Sequence, residues 1–385
     1  MGETFGIGLM SGTSGDGVDS ALVKFRAGEK PELIASGFLK FSAKIKNGIA
    51  AASRPDGRAE LICRLNVELG KIFGKAAVLL CKKAKLPLKK IDFVGSHGQT
   101  IRHQPSSKKN VPSSTLQIGE AAEIARITGA VVVSGFRPAD VAAGGGGAPL
   151  TPIAHHALFK NDEENRIIHN LGGISNVTYL PKGGGLSKVT GFDSGPANSL
   201  LDLAASHFSK GRLGYDSCGK IAMGGKVDNP MFKHCMAHPF YKKMPPKSTG
   251  RETFGTAYLH DLLTQYKKTP KENFLRTLAA VTAESSVRQA MKIFKPKGEV
   301  RWIVCGGGVK NRAVMREIKS RLNGRAELSA SGRLGIPEKS LEAVAFAIVA
   351  HRTLRSLPGN LPRVTGAERA VILGKVTYLG KTKRI

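Results

Sequence analysis

The chain has 385 residues, enough for two domains that each bury a core of their own. Its 41% hydrophobic and 23% charged residues are those of a water-soluble globular protein, and its longest apolar run, Val344–Ala350, is too short for a membrane span. The formal net charge of +30 raises nucleic-acid binding, but the lysines are scattered and aromatic residues make up only 6%, so the charge reads as a solvated basic surface that attracts small anions, with no nucleic acid as partner.

The first residues, Met1-Gly2-Glu3-Thr4-Phe5, lack the basic start and apolar stretch of a secretory signal. Phe5–Met10 and Ser20–Phe25 read as the strands of a hairpin, with Ser11-Gly12-Thr13-Ser14-Gly15-Asp16-Gly17 at its tip. Backbone N–H groups at such a tip approach phosphate oxygens without side chains in the way, and Asp16 is suited to hold Mg²⁺ through water. An ordinary tight turn is the alternative. Apolar residues at Leu61, Ile62, Leu65, Leu69, Ile72, Phe73, Ala76 and Leu80 follow helical spacing and lead to a strand, Ile91–Val94, closed by Gly95-Ser96-His97-Gly98. Further on, Ala142–Pro149 is rich in glycine, as befits a hinge or a substrate loop.

The same plan then recurs. Arg166–Leu171 enters a tip at Gly172-Gly173-Ile174-Ser175-Asn176, and Val177–Leu180 leaves it. In Gly191–Asn198 a strand ends at Asp193, and Pro196 suits the first turn of a helix whose free N–H groups would face an anion. At the mouth of a cleft Asp193 would take a proton from a water or a hydroxyl; as a helix cap it would be structural. A helix with Phe274, Leu278, Val281, Ser285 and Ile293 on one face leads to the strand Trp302–Cys305 and the turn Gly306-Gly307-Gly308 before Asn311, which is either flat enough to lie against a purine or ribose or a plain strand-to-helix turn. Leu341–Ala347 forms an alanine-rich helix in which Glu342 either answers the helix dipole or reaches a sugar hydroxyl. Pro358–Pro362 ends that helix, and the Ala370–Leu373 tail is expected to pack on the first lobe.

Two halves with one order of elements imply a duplicated α/β plan with a ligand cleft between lobes. The expected lobes are residues 1–135 with about 363–385, and residues 136–362. The five cysteines, Cys63, Cys81, Cys218, Cys235 and Cys305, contain no Cys-x-x-Cys pair and read as reduced thiols of a cytoplasmic protein.

Several of these segments carry a resemblance. Leu9–Ser14, Gly95–Thr100, Phe136–Asp140, Asn170–Asn176, Phe192–Pro196, Pro246–Glu252, Cys305–Gly308 and Val364–Ala367 resemble, in order, the motifs of anhydro-N-acetylmuramic acid kinases. That family belongs to the actin, hexokinase and heat-shock ATPase superfamily. The resemblance implies an ATP- and Mg²⁺-dependent reaction: water opens the 1,6-anhydro bridge of the sugar and the freed oxygen is phosphorylated, giving N-acetylmuramic acid 6-phosphate in peptidoglycan recycling. It implies Asp193 as catalytic base and an ATP site at Gly12, Thr13, Ser14, Gly15, Asp16, Gly17, Val18, Asp19, Gly173, Gly306, Gly307, Gly308 and Asn311. It also implies a sugar site at Arg137 and Glu342, lined by His97, Gln99 and Asp140, and a homodimer. The chain departs from the family pattern at Gly15 (usually leucine), Gly146 (usually glutamine), Ser194 (threonine), Ala197 (glycine) and Pro337–Ser340. A kinase of another anhydro- or amino-sugar is the nearest rival reading, since fold does not fix substrate. A nucleotide-driven chaperone would require a peptide-binding module that the sequence does not show.

Overall fold

A computed structural model describes residues 3–12, 14–104 and 112–378. The chain folds into two compact units, residues 1–158 with 340–385, and residues 159–339.

The first unit is built on a seven-stranded sheet. Its strands are β1 (Thr4–Ser11), β2 (Gly17–Phe25), β3 (Glu32–Lys40), β4 (Phe93–Gln104), β5 (Ser114–Ile118) and β6 (Val131–Ser134). The second unit carries β7 (Asn165–Leu171), β8 (Ile174–Leu180), β9 (Thr190–Pro196), β10 (Val300–Cys305) and β11 (Glu327–Ala330), and β12 (Lys375–Thr377) returns to the first sheet beside β6.

The order is β3-β2-β1-β4-β6 in the first sheet and β9-β8-β7-β10-β11 in the second. In each, the first three strands of the unit pair antiparallel and two later ones join in parallel, β4 and β6 in the first and β10 and β11 in the second, while β5 pairs antiparallel with β4. This is one ribonuclease H-like topology written twice, the duplicated plan of the actin and hexokinase type. Strands that alternate with helices after an initial meander leave both sheet faces apolar, so each sheet needs helices on it. In the first unit the helix Ala59–Ala84 supplies Leu65, Leu69, Phe73 and Leu80 to a core with Ile7, Val18 and Leu22. In the second the helix Lys271–Phe294 packs Phe274, Leu278 and Val287 among Phe192, Trp302 and Val304.

The observed boundaries differ from the expected 135 and 362. The helix Leu341–Leu354, assigned from sequence to the second lobe, lies on the first sheet. Glycines make that possible: a Cβ on Gly8 of β1 would fall on the Ala343 carbonyl, and one on Gly95 of β4 would sit 2.5 Å from the Phe346 carbonyl oxygen. Gly95 through Gly98 therefore do not end a strand. β4 runs on to Gln104, and Gly98, at φ +76°, bends it past the Ile118 carbonyl. The tail packs as expected: Leu373 is buried, Thr353 Oγ1 donates to its carbonyl at 2.5 Å, and β12 pairs with β6.

Two local readings are also corrected. Ile174–Asn176 belong to β8 rather than to a loop, and Pro196 ends β9 rather than opening a helix, the next helix spanning Asn198–Phe208. β9 is an edge strand, where the missing N–H of proline is tolerated.

Because the Gly8 contact is with backbone that cannot step aside, Gly8→Ala is expected to lower the urea-unfolding free energy by about 1–3 kcal/mol, as overpacking does. Wild-type stability in that variant would show the helix to be less closely seated.

Candidate active site

The hairpin tip between β1 and β2 closes through Gly15, whose N–H reaches the Gly12 carbonyl at 3.1 Å with φ at +62°, a conformation that suits glycine better than the family's usual leucine. Ser11 holds the tip from beneath, its one hydroxyl proton shared between the Gly17 carbonyl at 2.9 Å and Gln99 Oε1 at 2.6 Å. Gln99 Nε2 donates to the Thr100 carbonyl at 3.2 Å and to Gly12 O at 3.4 Å. Gln99 is thus a buried prop for the tip rather than a lining group of a sugar site. Ser14 and Asp16 are exposed on the tip, with Lys46 Nζ 2.9 Å from Asp16 Oδ1. Val18 is in the apolar core, so its side chain offers a ligand nothing, and Asp19 is half-buried opposite Met10. Thr13 lies outside the described residues.

Next to the tip on the same sheet, His97 is enclosed and fixed in one tautomer. Arg137 Nε–H donates to its Nε2 at 2.9 Å, so the ring proton sits on Nδ1 and goes to the Gly98 carbonyl, also 2.9 Å away. Burial first, and then the charge of Arg137, holds this imidazole well below its ordinary pKa, so it stays neutral. Arg137 Nη1 donates 2.7 Å to Gly147 O, which fixes the plane of the guanidinium. A carboxylate fork through Nε would have to displace His97, so an acid must meet Arg137 through its terminal nitrogens. Glu342 stands half-buried in the first turn of the helix Leu341–Leu354.

Asp140 is not a lining residue. It is fully enclosed and accepts 2.7 Å hydrogen bonds from Gly147 N, Asn360 Nδ2 and Thr365 Oγ1, tying the glycine loop to the C-terminal segment. A Cβ on Gly145 would collide with the Asp140 carboxylate, and Gly146 N–H donates to Thr365 O at 2.7 Å. This loop is a tied structure rather than a hinge.

In the second unit, Asp193 lies on β9 and is 9% exposed. Its N–H donates to the Lys247 carbonyl at 3.2 Å, and its Oδ2 accepts the Thr249 N–H at 3.0 Å. Two buried oxygens near it, Asn176 Oδ1 across the β8–β9 ladder and Thr249 Oγ1, have no hydrogen-bond partner among the described residues. Asp193 is therefore a carboxylate held by a backbone donor of the Lys247–Thr249 segment, beside buried acceptors, and not a helix cap. Lys247 is itself buried; burial lowers its pKa to about 8, the charge of Asp193 opposing that fall and Lys243 adding to it.

Behind Asp193 runs a hydrogen-bonded chain with no charge in it. Trp302 Nε1 donates to His169 Nδ1 at 3.2 Å, and His169 Nε2–H reaches Ser175 Oγ at 2.7 Å. Ser194 donates 2.7 Å to the same hydroxyl, and Ser286 lies 2.8 Å from Ser175 and 2.9 Å from Ser194. Burial pushes the His169 pKa down to about 3. The family's threonine at position 194 is replaced by a residue that keeps the hydroxyl used here.

The start of the helix Asn198–Phe208 differs from expectation. The N–H groups of Ala197 and Ser199 donate to Gly173 O and that of Asn198 to Gly172 O, at 3.1–3.2 Å, so the β7–β8 tip caps the helix and its first donors are not open to an anion. Gly173 is exposed, with only ordinary contact where a side chain would stand. Of the later glycines, Gly307 faces open space, whereas a Cβ on Gly306 (φ +83°) would sit 2.6 Å from Asn170 Oδ1 and one on Gly308 2.6 Å from Leu171 Cβ. Asn311 caps the helix Arg312–Leu322, its Oδ1 accepting from Ala313 N and Val314 N at 3.1 and 3.2 Å, which is a structural task.

Thus the hairpin tip, His97, Arg137 and Glu342 belong to the first unit, and Asp193, Gly173 and Gly306–Gly308 to the second. Sequence reasoning gave no role to Lys247 and Thr249, although both lie in a quoted motif. Gln289, whose Oε1 takes the Lys247 ammonium, carried no sequence signal at all. For magnesium, the described residues hold no group of three or more His, Cys, Asp or Glu side chains that could chelate an ion. The exposed Asp16 carboxylate fits an ion that keeps most of its water and takes one protein contact.

The family model for anhydro-N-acetylmuramic acid kinase matches residues 4–379. Across 377 residues, 96% of this chain and 98% of the relative, the chain is 42% identical to an anhydro-N-acetylmuramic acid kinase of Bacillus cereus strain G9842. It is 40% identical over 378 residues to one of Bacillus thuringiensis subsp. konkukian strain 97-27, with 97% and 98% covered. Among solved structures, component A of (R)-2-hydroxyglutaryl-CoA dehydratase from Acidaminococcus fermentans aligns at 11% identity and a TM-score of 0.45, covering 90% of this chain and 96% of that one.

Removing the Asp140 carboxylate leaves Gly147 N, Asn360 and Thr365 without their acceptor. Asp140→Ala is expected to lose roughly 2–5 kcal/mol of stability in thermal or urea unfolding, the range for breaking a buried charged hydrogen-bond set. An unchanged midpoint would make the glycine loop independent of Asp140.

Proposed function

We propose that this chain, which belongs to the anhydro-N-acetylmuramic acid kinase family, uses ATP and water to open the 1,6-anhydro bridge of anhydro-N-acetylmuramic acid and phosphorylate the freed oxygen. The observation that carries the reading is Asp193: an enclosed carboxylate held by the Thr249 N–H, beside Asn176 Oδ1 and Thr249 Oγ1, which have no partner among the described residues, on a chain that matches the family over residues 4–379.

In the proposed reaction Asp193 takes a proton from the water that attacks the anomeric carbon. The bond from that carbon to the bridging oxygen breaks, and the oxygen, gaining negative charge, attacks the γ-phosphorus of ATP and releases ADP. Cleavage thereby generates the nucleophile for transfer, so neither step needs a free sugar alkoxide in solution. Asn176 Oδ1 and Thr249 Oγ1 are suited to accept hydrogen bonds from the water or from sugar hydroxyls, which directs the attack. The tip Gly12–Asp19 offers N–H groups and the Ser14 hydroxyl to phosphate oxygens, and Gly173 and Gly306–Gly308 provide backbone that a nucleotide can approach. Arg137 meets the lactyl carboxylate through its terminal nitrogens while His97 holds its Nε, and Glu342 accepts from a sugar hydroxyl.

Mg²⁺, held through water by Asp16, would supply neutralisation of the phosphate charge. The reading places the protein in the cytoplasm as a homodimer. Free cysteines suit a reducing compartment, and among the described residues no helix is long and apolar enough to cross a membrane.

Asp193→Asn keeps the shape of the side chain and its contact with Thr249 N while removing the base. Its kcat is expected to fall by roughly 10²–10⁴-fold with ATP and sugar binding retained, the usual worth of a general base. Near-normal turnover of the anhydro sugar would remove Asp193 from this role. Turnover of levoglucosan in place of anhydro-N-acetylmuramic acid would shift the substrate to another anhydro-sugar.

A further inference from the structure

Lys247 stands out among the buried groups that the reaction above leaves unused. It is 7% exposed, and its ammonium lies 4.6 Å from the centre of the Phe240 ring and 5.2 Å from that of Phe192. Its hydrogen-bond acceptor is neutral, the Oε1 of Gln289. That amide is aimed by its other end: Gln289 Nε2 donates 2.8 Å to Ser194 O and 2.5 Å to Ser285 O, so its oxygen must face Lys247. The carbonyl of Lys247 meanwhile accepts the N–H of Asp193, whose side chain is the negative charge acting on the ammonium.

Enclosing a cation against two aromatic rings and a neutral amide costs stability that a methionine or leucine at this place would not. Cation–π attraction offsets only part of that cost. A group kept at such a site acts through its charge, and the Asp193 carboxylate, 9% exposed on the strand that the Lys247 segment grips, has to stay ionised to accept a proton.

We propose that Lys247 is a positioning residue for the phosphotransfer reaction: its ammonium, aimed by Gln289 and boxed by Phe192 and Phe240, keeps the Asp193 carboxylate ionised, while its carbonyl and the following Thr249 N–H fix that carboxylate's direction. The inference rests on the reading of Asp193 as the base. Ser194, Gln289 and Lys247 then form a single brace from the end of β9 through the helix Lys271–Phe294 and back to the reacting side chain.

The test compares Lys247→Met, Lys247→Arg and Asp193→Asn in the full chain, with ATP and the anhydro sugar, from about pH 5 to about pH 9. Lys247→Met is expected to lower kcat by roughly 10²–10³-fold, the scale of one lost preorganised charge, with the KM for ATP within about twofold. Its thermal midpoint at neutral pH should equal or exceed that of the wild type, because a buried charge has been removed. The acidic limb of its kcat–pH profile should move to higher pH, because the carboxylate without its cation holds a proton more tightly. Lys247→Arg should recover at least about tenfold of the loss.

Wild-type kcat in Lys247→Met overturns the proposal. So does a loss of kcat that comes with a lower thermal midpoint and an unmoved pH profile, since that describes a structural prop. Should Lys247→Met not fold, Gln289→Leu leaves the charge but frees it, and is expected to lower kcat about tenfold; an unchanged kcat there also overturns the proposal. Turnover retained in Asp193→Asn sinks the base itself, whereas an inactive Asp193→Asn beside a normal Lys247→Met sinks only the role of Lys247.

Discussion

The role proposed for Asp193 depends on one hydrogen bond, from the N–H of Thr249 to its carboxylate. A carboxylate on an edge strand would ordinarily swing into water or pair with the nearest cation. Here the segment Lys247–Thr249 grips it twice, through the Lys247 carbonyl at its backbone and the Thr249 N–H at its side chain. Grip by backbone sets the direction of the carboxylate. It also explains why the motif around Lys247 matters on a chain where nothing else about that loop is regular secondary structure. Everything behind β9, from Trp302 through His169 to the three serines, keeps the strand in register by neutral hydrogen bonds and so adds no competing charge.

In the first unit the matching constraint is steric. Glycines at Gly8 and Gly95 let the helix Leu341–Leu354 lie directly on β1 and β4. That seating brings Glu342 into the same unit as Arg137, His97 and the hairpin tip, and its ring contact places Phe346 4.5 Å from the His97 imidazole. Apolar packing on one side and the Arg137 guanidinium on the other are what keep His97 neutral and able to accept from Arg137. The orientation of Arg137 is thus a consequence of two bare positions on strands far away in sequence.

Much of the fold was legible because its signals are local. Hairpin tips announce themselves by glycine, as at Gly12–Gly17, and long helices by apolar spacing, as at Leu65, Leu69 and Phe73. The duplication was visible as a repeated order of elements, and the strand pairing bears it out in both sheets. What was not legible depends on which surface meets which. A glycine that admits a helix looks the same in sequence as one that turns a chain, so Gly95–Gly98 read as a turn and the helix at Leu341 was given to the wrong unit. The same confusion made Asn311, Asp140 and Gln99 look like ligand contacts. Each is a polar residue that the resemblance implies at a site, yet each spends its hydrogen bonds inside the protein. Lys247 shows the reverse case, where a residue given no role in the sequence is enclosed among Phe192, Phe240 and Gln289.

The central claim is that one enclosed carboxylate drives water onto the anomeric carbon and so releases the oxygen that is phosphorylated. Incubation with ATP in ¹⁸O-labelled water, quenched before the product can exchange its anomeric oxygen, reads this directly. The account predicts one labelled oxygen at the anomeric carbon and none in the phosphoryl group. Label in released phosphate with the sugar bridge intact would contradict it, showing water attacking ATP rather than the sugar.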